Sequence, residues 1–165
     1  MAPAINEVKI LSSRGPWTTK SEAELMVRFA LPFSEVDDFF QYDQTELNKI
    51  PEDIRGLRVY TIRGLQKGTT GGKEFHRIRK ELVFGLEGRI EWICEDVLGR
   101  KEVLELTPQN GVYVPPFVLH TYRTIEDNSS LLVIANTLFN PDKDYTHDTY
   151  SQEIFDEIQK SHKQI

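Results

Sequence analysis

A regular succession of short strand-forming segments, from Leu57 to about residue 140, constrains the fold most. These segments are rich in β-branched and aromatic residues, and polar or glycine-containing breaks separate them. In the run RIEWICED, Ile90, Trp92 and Cys94 alternate with acidic residues, which is the period-2 pattern of a half-buried strand. The pattern predicts about seven or eight short strands, as expected of an all-β sandwich or barrel.

Turn residues define the individual strands. LRVYTIRGL is a predicted strand, KGTTGGK a loop, and LVFGLEGRIEWICED two strands with Gly88 at the turn of a hairpin. DVLGRKEVLEL predicts another hairpin, around LGR, and GVYVPP, LHTYRTI and SLLVIANTL complete the series. We therefore expect a mainly β fold with minor helical additions.

The N-terminal residues 1–56 differ from the rest, because they are polar and irregular. EAELMVRFAL is compatible with either a strand or a helix, and Ser34 is suited to cap a short helix that follows it. We interpret residues 1–56 as an N-terminal extension that packs on the main domain, residues 57–165, or on a partner subunit.

The C-terminal run YSQEIFDEIQKSH predicts an amphipathic helix. Its apolar residues Ile154, Phe155 and Ile158 recur at helical spacing, whereas the remaining positions are mostly polar. We expect this helix to form a lid or flank on the β domain.

Composition narrows the class of protein. A chain of 165 residues suits one domain, and its net charge of -6 argues against a general nucleic-acid binder, although local basic clusters can hold a small anion. Cys94 is the single cysteine, so no intrachain disulfide forms, and we expect a buried, inert thiol. The N-terminus does not resemble a signal peptide, and no apolar run has the length of a membrane span, so we expect a cytoplasmic protein.

The run GKEFHRIRKE, between two predicted strands, carries candidate chemistry. Glu74 and His76 are two residues apart, so on a strand they point to the same face. By the same alternation His120 shares a face with Tyr122. Glu81 joins Glu74 and His76 only if the intervening RIRK contains a bend, which we expect to be mostly solvated. Polar groups that converge in a β-barrel mouth form a small-molecule site.

Two spacings in this region resemble the motifs of the cupin superfamily. The residues at the spacing of the first motif are Gly68, Glu74, His76, Glu81 and Gly88. The second motif has a proline and, five residues later, a histidine, as in PPFVLH with Pro115 and His120. The resemblance implies a cupin-type β-barrel or jelly roll, with short helices in the N-terminal region and at the C-terminus.

A closer resemblance covers most of the chain after residue 57. The runs LRVYTI, GGKEFHR, LVFGLEG, GVYVPPFVLH and LLVIANTLFNPDKDY look like the sugar 3,4-ketoisomerases of the WxcM-like C-terminal domain family. That family typically reads RVYYI, RGxHAHK, GLYVPPxxWH and LLVLASxxYDxxDYI. Its members are metal-independent cupins that act on 4-keto-6-deoxy sugars linked to thymidine diphosphate. The resemblance thus implies an isomerase without a cofactor, and a homodimer paired through N-terminal strands.

The family mechanism moves a carbonyl from C4 to C3 through an enediol, which needs a base and a second proton carrier. Glu74 stands where the family has its usual base, a histidine, while His76 and Tyr60 are retained as the other two catalytic candidates. A partly desolvated carboxylate can abstract a proton next to a carbonyl. Two further departures are Gly71 for an arginine and Leu119 for a tryptophan.

The remaining predicted site residues would bind the substrate. His120, Tyr122 and Tyr113 are candidates for the pocket. Arg77 and Arg123, with Arg79, are candidates to hold a diphosphate, since arginine matches phosphate geometry with paired donors. His147 lies in the tail and is expected at the surface.

Two other functions stay open. Glu74, His76, Glu81 and His120 would suit a divalent transition metal, as in a cupin dioxygenase or a metal-assisted isomerase. Alternatively the chain binds a sugar nucleotide without catalysis. Against the metal alternative, the simplest interpretation of Glu81 is a solvated ion pair with the neighbouring Lys80 and Arg79.

Overall fold

The computed structural model describes residues 5–50 and 52–163, and most of its regular structure is β-strand. Its strands are β1 (Lys9–Ser12), β2 (Arg14–Thr18), β3 (Glu24–Val27), β4 (Arg55–Leu65), β5 (Thr70–Phe75), β6 (Glu81–Glu87), β7 (Ile90–Glu95), β8 (Lys101–Leu106), β9 (Asn110–Val114), β10 (Leu119–Thr124), β11 (Ser129–Thr137) and β12 (Tyr150–Ser151). Its α-helices are α1 (Phe33–Phe39), α2 (Gln44–Leu47) and α3 (Gln152–His162). All of these helices are too short to cross a membrane.

Two five-stranded antiparallel sheets form the body of the fold. The first sheet has the strand order β1-β9-β6-β11-β4, and the second has the order β12-β5-β10-β7-β8. β2 and β3 form a separate hairpin. The arrangement confirms the predicted mainly β, jelly-roll fold, although the described strands do not close into a continuous barrel.

The core lies between the two sheets. Val83 and Leu131 face it from the first sheet, and Trp92 and Cys94 face it from the second. Each of these side chains is buried because strand alternation turns every second residue inward. Burial raises the pKa of the Cys94 thiol to about 12, which confirms the prediction of a buried cysteine that is inert at neutral pH.

The predicted hairpin at Gly88 is wrong. β6 pairs with β9 and β11, and β7 pairs with β8 and β10, so the turn at Gly88 crosses from one sheet to the other. Gly88 adopts a φ of 67°, and a Cβ there would lie 2.2 Å from the Ser129 hydroxyl, so the crossing requires glycine. The second predicted hairpin is confirmed, because Glu95 of β7 pairs with Lys101 of β8.

The N-terminal segment is part of the first sheet and covers its outer face. Ile10 of β1 pairs with Val112 of β9, and the ring of Phe29 stacks on that of Phe84 at 4.8 Å. EAELMVRFAL, which the sequence left as strand or helix, contains β3. The prediction that Ser34 caps a helix is wrong, because α1 already begins at Phe33, after Pro32.

The predicted C-terminal helix is α3, and it flanks the second sheet. Phe155 is fully buried, with its ring 5.1 Å from that of Phe75 in β5. Val97 and Leu119 complete this apolar cluster. The contact fixes the outer side of β5, whose other side carries the candidate site.

Candidate active site between the two sheets

A bend between β5 and β6 brings the acidic residue Glu81 to the inner face. β5 ends at Phe75, the chain bends at Arg77 and Ile78, and β6 begins at Glu81. The carboxylate of Asp148 accepts the backbone N–H groups of three consecutive residues, Arg77 at 3.0 Å, Ile78 at 3.0 Å and Arg79 at 2.8 Å. A buried carboxylate from another part of the chain therefore holds the bend.

The bend that RIRK was predicted to contain is present, but the prediction that it is mostly solvated is wrong. Ile78 and Arg79 are 1% and 4% exposed. The guanidinium of Arg79 donates to Thr137 Oγ1 at 3.1 Å and lies 3.5 Å from Glu81 Oε1. Arg79 is therefore a buried partner of Glu81 and not a solvated neighbour.

Two buried histidines face each other across the site, with ring centroids 5.1 Å apart. Nδ1 of His76 lies 2.7 Å from the carbonyl oxygen of Asp148, and Nδ1 of His120 lies 3.2 Å from that of Val118. A carbonyl oxygen only accepts, so each Nδ1 must carry a proton. Each Nε2 is then the atom that gains or loses a proton, and both Nε2 atoms face the carboxylates of the site.

Glu81 lies at the centre of this cluster. Its Oε1 is 3.6 Å from His76 Nε2 and accepts the hydroxyl of Tyr60 at 3.2 Å. Its Oε2 is 3.9 Å from His120 Nε2. Glu81 thus links both histidines, Tyr60 and Arg79 through one carboxylate.

The electrostatics keep Glu81 ionised. Burial by itself would raise the pKa of this carboxyl, because burial disfavours the charged form. The charge and hydrogen bond of His76, with the charges of His120 and Arg79, oppose burial and outweigh it, so the pKa of Glu81 lies well below its ordinary value. The centre of the site is a fixed negative charge.

Tyr60 and His120 are held in their neutral forms at neutral pH. Burial, followed by the charge of Glu81, raises the pKa of the Tyr60 phenol far above its ordinary value. Burial, followed by the charge of His76, lowers the pKa of His120. Tyr60 is therefore a hydroxyl donor, and His120 presents a basic nitrogen.

Glu74 lies at the open edge of the cluster. It pairs with His120 in the β5–β10 register, and its Oε1 is 4.0 Å from His120 Nε2. Its side chain is 38% exposed, whereas Glu81 and both histidines are buried. Among the acidic residues of this cluster, Glu74 is therefore the one that an incoming ligand reaches.

Two aromatic side chains form one wall. The indole of Trp92 stacks on His120 at 5.4 Å and on Tyr122 at 6.2 Å. A Cβ on Gly71 would lie 2.3 Å from the Tyr122 hydroxyl. The ring of Tyr122 thus occupies the space that a side chain at position 71 would need, which explains the glycine where the resembled family has arginine.

The structure brings together Glu74, His76, Tyr60, His120 and Glu81, with Tyr122 on the wall. It does not bring the other predicted residues into this cluster. For two of them, strand alternation explains why the side chain lies on the opposite face of the sheet. Tyr113 faces outward between buried Val112 and Val114 and lines a separate cavity of about 290 Å³ beneath the N-terminal segment. Arg123 faces outward next to Tyr122 and pairs with Glu91 at 3.1 Å.

The two remaining predicted side chains lie beside the bend. The guanidinium of Arg77 stacks over the ring of Tyr150 at 4.5 Å. His147, expected at the surface, is partly buried, and its ring stacks on that of Phe139 at 4.4 Å. Its carbonyl oxygen also accepts from Arg79.

Asp148 was not considered as a site residue. Arg79 was a candidate to hold a diphosphate, but it was placed in a run expected to be mostly solvated and not beside Glu81. The signal for Asp148 was weak, because it contacts residues 69 to 71 positions earlier in the chain.

Comparisons with known proteins agree with the geometry. Residues 41–156, more than half of the chain, match the family model described as FdtA: WxcM-like, C-terminal. No curated protein matches the chain.

Three solved structures illustrate the similarity of fold. QdtA, a sugar 3,4-ketoisomerase from Thermoanaerobacterium thermosaccharolyticum in complex with TDP, is 20% identical, with a TM-score of 0.64 over 96% of this chain and 98% of that one. WlaRB, a TDP-quinovose 3,4-ketoisomerase from Campylobacter jejuni, is 19% identical, with a TM-score of 0.64 over 94% of this chain and 99% of that one. A dTDP-4-dehydrorhamnose 3,5-epimerase from Bacillus anthracis is 12% identical, with a TM-score of 0.64 over 92% of this chain and 82% of that one.

Proposed function

The chain belongs to the family described as FdtA: WxcM-like, C-terminal, and we propose that it is a nucleotide-sugar 3,4-ketoisomerase. Its substrate would be a 4-keto-6-deoxy sugar linked to thymidine diphosphate. One observation carries the proposal: an exposed carboxylate, Glu74, stands beside a buried network in which Tyr60, Glu81 and His76 are joined by polar contacts of 3.2 to 3.6 Å. The similar structures of known 3,4-ketoisomerases support it.

The reaction requires two proton transfers. The carbon-bound proton leaves C3 and is returned to C4, while the hydroxyl proton leaves O3 and is returned to O4. An enediol connects the two ketones, so the sugar is neither oxidised nor reduced. A single base that faces the ring can perform the first transfer, and a hydrogen-bonded relay can perform the second.

Glu74 takes the role of the carbon base. It is the carboxylate that a ligand entering from the open edge meets first, and His120 Nε2 lies 4.0 Å behind it. When Glu74 takes the proton from C3, His120 can share or receive it through Nε2, because its Nδ1 is occupied by the Val118 carbonyl. The same carboxyl then delivers the proton to C4.

Tyr60, Glu81 and His76 take the role of the oxygen relay. The Tyr60 hydroxyl donates to ionised Glu81, so its oxygen lone pairs are available to a sugar hydroxyl. Glu81 in turn lies 3.6 Å from His76 Nε2. As C3 loses its proton, Tyr60 can donate its hydroxyl proton to O4, and as C4 receives a proton, Tyr60 can recover one from O3. Glu81 stays ionised throughout and orients the Tyr60 hydroxyl.

The direct test is conversion of TDP-4-keto-6-deoxyglucose by the purified protein, followed by proton NMR. We expect the 4-keto signals to be replaced by those of a 3-keto product. A protein that gains thermal stability from TDP but forms no product would instead be a non-catalytic sugar-nucleotide-binding protein. A protein that does neither contradicts the proposal.

A metal-dependent cupin enzyme is a second candidate, which a specific arrangement favours. Ligand atoms of Glu74, His76 and His120 lie within 4.8 Å of one another, and both histidines present Nε2. Two imidazoles and a carboxylate suit Fe(II), Mn(II) or Zn(II). Against it, the cationic Nη1 of Arg79 lies 3.4 Å from His76 Nε2, where it opposes a metal cation. Metal analysis of protein purified without chelator separates the two candidates.

We also propose that the chain forms a homodimer in the cytoplasm. Large apolar side chains on the N-terminal strands are left exposed, at 57% for Ile10, 50% for Trp17 and 45% for Leu25. Such exposed apolar groups are typical of surfaces that pair with a partner. Light scattering coupled to size exclusion should give twice the mass of the chain, and the mass of a single chain would contradict the dimer.

A further inference from the structure

We propose that the guanidinium of Arg79 is the resident cation of the candidate site and excludes a divalent metal from it. A set of ligands suited to a metal is present, but a fixed positive charge already lies against it. The proposal rests on the proposed function in that it concerns the same cluster. Its consequence is that a neutral side chain at position 79 turns the cluster into a metal site.

The ligand set by itself suits a metal. Ligand atoms of Glu74, His76 and His120 lie within 4.8 Å of one another. Nδ1 of each histidine faces a backbone carbonyl oxygen, so each imidazole keeps Nε2 as its only metal-binding atom. Two imidazoles and a carboxylate bind Fe(II), Mn(II) or Zn(II) in proteins. Whether a metal enters therefore depends on what surrounds these ligands.

The atom of His76 that a metal needs faces Arg79. Nη1 of Arg79 lies 3.4 Å from His76 Nε2, and a guanidinium only donates, so the lone pair of Nε2 is the acceptor of this contact. Zinc binds an imidazole nitrogen at about 2.0–2.1 Å. A metal on His76 would therefore have to enter the contact between the imidazole and the guanidinium.

The surroundings hold Arg79 in place, because its buried guanidinium has five acceptors for its five N–H donors. The acceptors are Thr137 Oγ1 at 3.1 Å, His76 Nε2 at 3.4 Å, Glu81 Oε1 at 3.5 Å, Thr149 Oγ1 at 3.5 Å and the carbonyl oxygen of His147. Any displacement of the guanidinium leaves buried donors unpaired, which is costly. A metal therefore cannot simply push the side chain aside.

The charge of Arg79 also opposes a second cation. The ionised carboxylate of Glu81 lies 3.5 Å from Nη1 and balances one positive charge inside the buried part of the cluster. A divalent ion on His76 would lie next to the guanidinium, and like charges at this range repel strongly where water is excluded. Glu74 is partly exposed, so solvent screens its charge.

A simpler role for Arg79 would be to pair with Glu81 and nothing more. The two roles differ in one consequence. Loss of a purely structural ion pair lowers stability, whereas loss of a resident cation also creates affinity for a metal. Metal binding by variants of Arg79 therefore separates the two roles.

The test is isothermal titration of chelator-treated protein with Zn(II). The variant is Arg79→Gln, which removes the charge but keeps a polar side chain, and Arg79→Lys keeps the charge. The matched control is Arg77→Gln, because Arg77 lies in the same bend and stacks over Tyr150, outside the cluster. Combining Arg79→Gln with His76→Asn tests whether a new site includes His76.

We expect Arg79→Gln to bind one Zn(II) ion per chain at least about tenfold more tightly than wild type, because a buried like charge is removed. Arg79→Lys and Arg77→Gln should match wild type, and His76→Asn should abolish the gain. Zn(II) should raise the melting temperature of Arg79→Gln, since it restores a positive charge beside Glu81.

Four results overturn the proposal. They are tight stoichiometric binding by wild type that His76→Asn abolishes, no gain in Arg79→Gln, an equal gain in Arg79→Lys or Arg77→Gln, and a gain that survives His76→Asn. Refolding with Zn(II) or Mg(II) covers the case in which Arg79→Gln does not fold alone. Folding with Zn(II) but not with Mg(II), which prefers oxygen ligands, supports the proposal, and folding with neither overturns it.

Failure of the resident cation and failure of the proposed function give different results. A gain of Zn(II) binding in Arg79→Gln, without any conversion of the keto sugar by wild type, contradicts the isomerase and keeps the resident cation. Conversion by metal-depleted wild type, without any gain of Zn(II) binding in Arg79→Gln, keeps the isomerase and contradicts the resident cation.

Discussion

Tyr60 donates its hydroxyl to Oε1 of Glu81 at 3.2 Å, although the two residues lie on different strands of the first sheet. β11 separates those strands, so the bond spans the inner face of the sheet. The phenol is kept protonated and the carboxyl is kept ionised, since burial and the charge of Glu81 raise the pKa of Tyr60 while neighbouring cations hold down that of Glu81. The pair is therefore a polarised donor and acceptor on the inner face of the first sheet.

Removing the charge of Glu81 should destabilise the protein. Glu81→Gln leaves the buried guanidinium of Arg79 without its carboxylate, and the loss of one partner from a buried ion pair costs about 3 kcal/mol or more. Urea unfolding measures the free energy of unfolding. The matched control is Glu105→Gln, which breaks a half-exposed pair with Arg89 and should cost much less, because solvent screens that pair. Equal losses in the two variants would contradict the central position of Glu81.

Acidification should lower the free energy of unfolding in two stages. The folded state lowers the pKa of His120, so the unfolded chain takes up that proton first and stability begins to fall as the pH drops through the ordinary value of 6.5. The folded state also lowers the pKa of Glu81, so the stability from its ionised form is fully present above the ordinary value of 4.5 and is lost as the pH falls below it.

Urea unfolding of wild type and Glu81→Gln, from about pH 8 to about pH 3, measures the second stage. The difference in unfolding free energy between the two proteins should shrink below pH 4.5, because the Glu81 carboxyl of the unfolded wild-type chain takes up a proton there, whereas glutamine does not titrate. Other carboxylates are common to both proteins and cancel. A difference that stays constant to the lowest pH would show that Glu81 is not ionised in the folded protein.

Asp148→Asn should loosen the bend that positions Arg79 and Glu81. Asparagine fits the same backbone conformation, with φ at 47°, but its single carbonyl oxygen cannot accept all three N–H groups of the bend. We expect a loss of about 1–3 kcal/mol in the free energy of unfolding. Asp127→Asn is the matched control, because that exposed carboxylate accepts one N–H, from Lys67. If both variants lose the same amount, Asp148 has no special role in holding the bend.

Local periodicity predicted most strands after Leu57 and the inner pair of the site, but the prediction that KGTTGGK is a loop is wrong, because β5 already begins at Thr70. Glu74 lies on β5 and His76 directly follows its last residue, while His120 and Tyr122 alternate on β10, so their faces follow from spacing alone. The same rule, applied further, would have placed Arg123 and Tyr113 on the outer faces, where the structure has them.

Long-range contacts decided what periodicity could not. The burial of Arg79 depends on Asp148, and nothing in RIRK itself indicates that the backbone there is held by a distant carboxylate. The turn at Gly88 has the local form of a hairpin, but the partners of β6 and β7 are strands from elsewhere in the chain. Sheet membership is a property of the whole sandwich and not of the turn.

The identity of the carbon base is tested most directly by isomerisation in deuterium oxide, with wild type and Glu74→Gln compared by NMR. We expect wild type to form the 3-keto product with deuterium at C4, because the partly exposed carboxyl of Glu74 exchanges the abstracted proton with solvent before delivery. Glu74→Gln should be slower by about 100-fold or more, the range of a lost general base. The melting temperature should not fall, because Glu74 is 38% exposed at the open edge. A Glu74→Gln variant that isomerises and incorporates deuterium at the wild-type rate would contradict the assignment of Glu74 as the base.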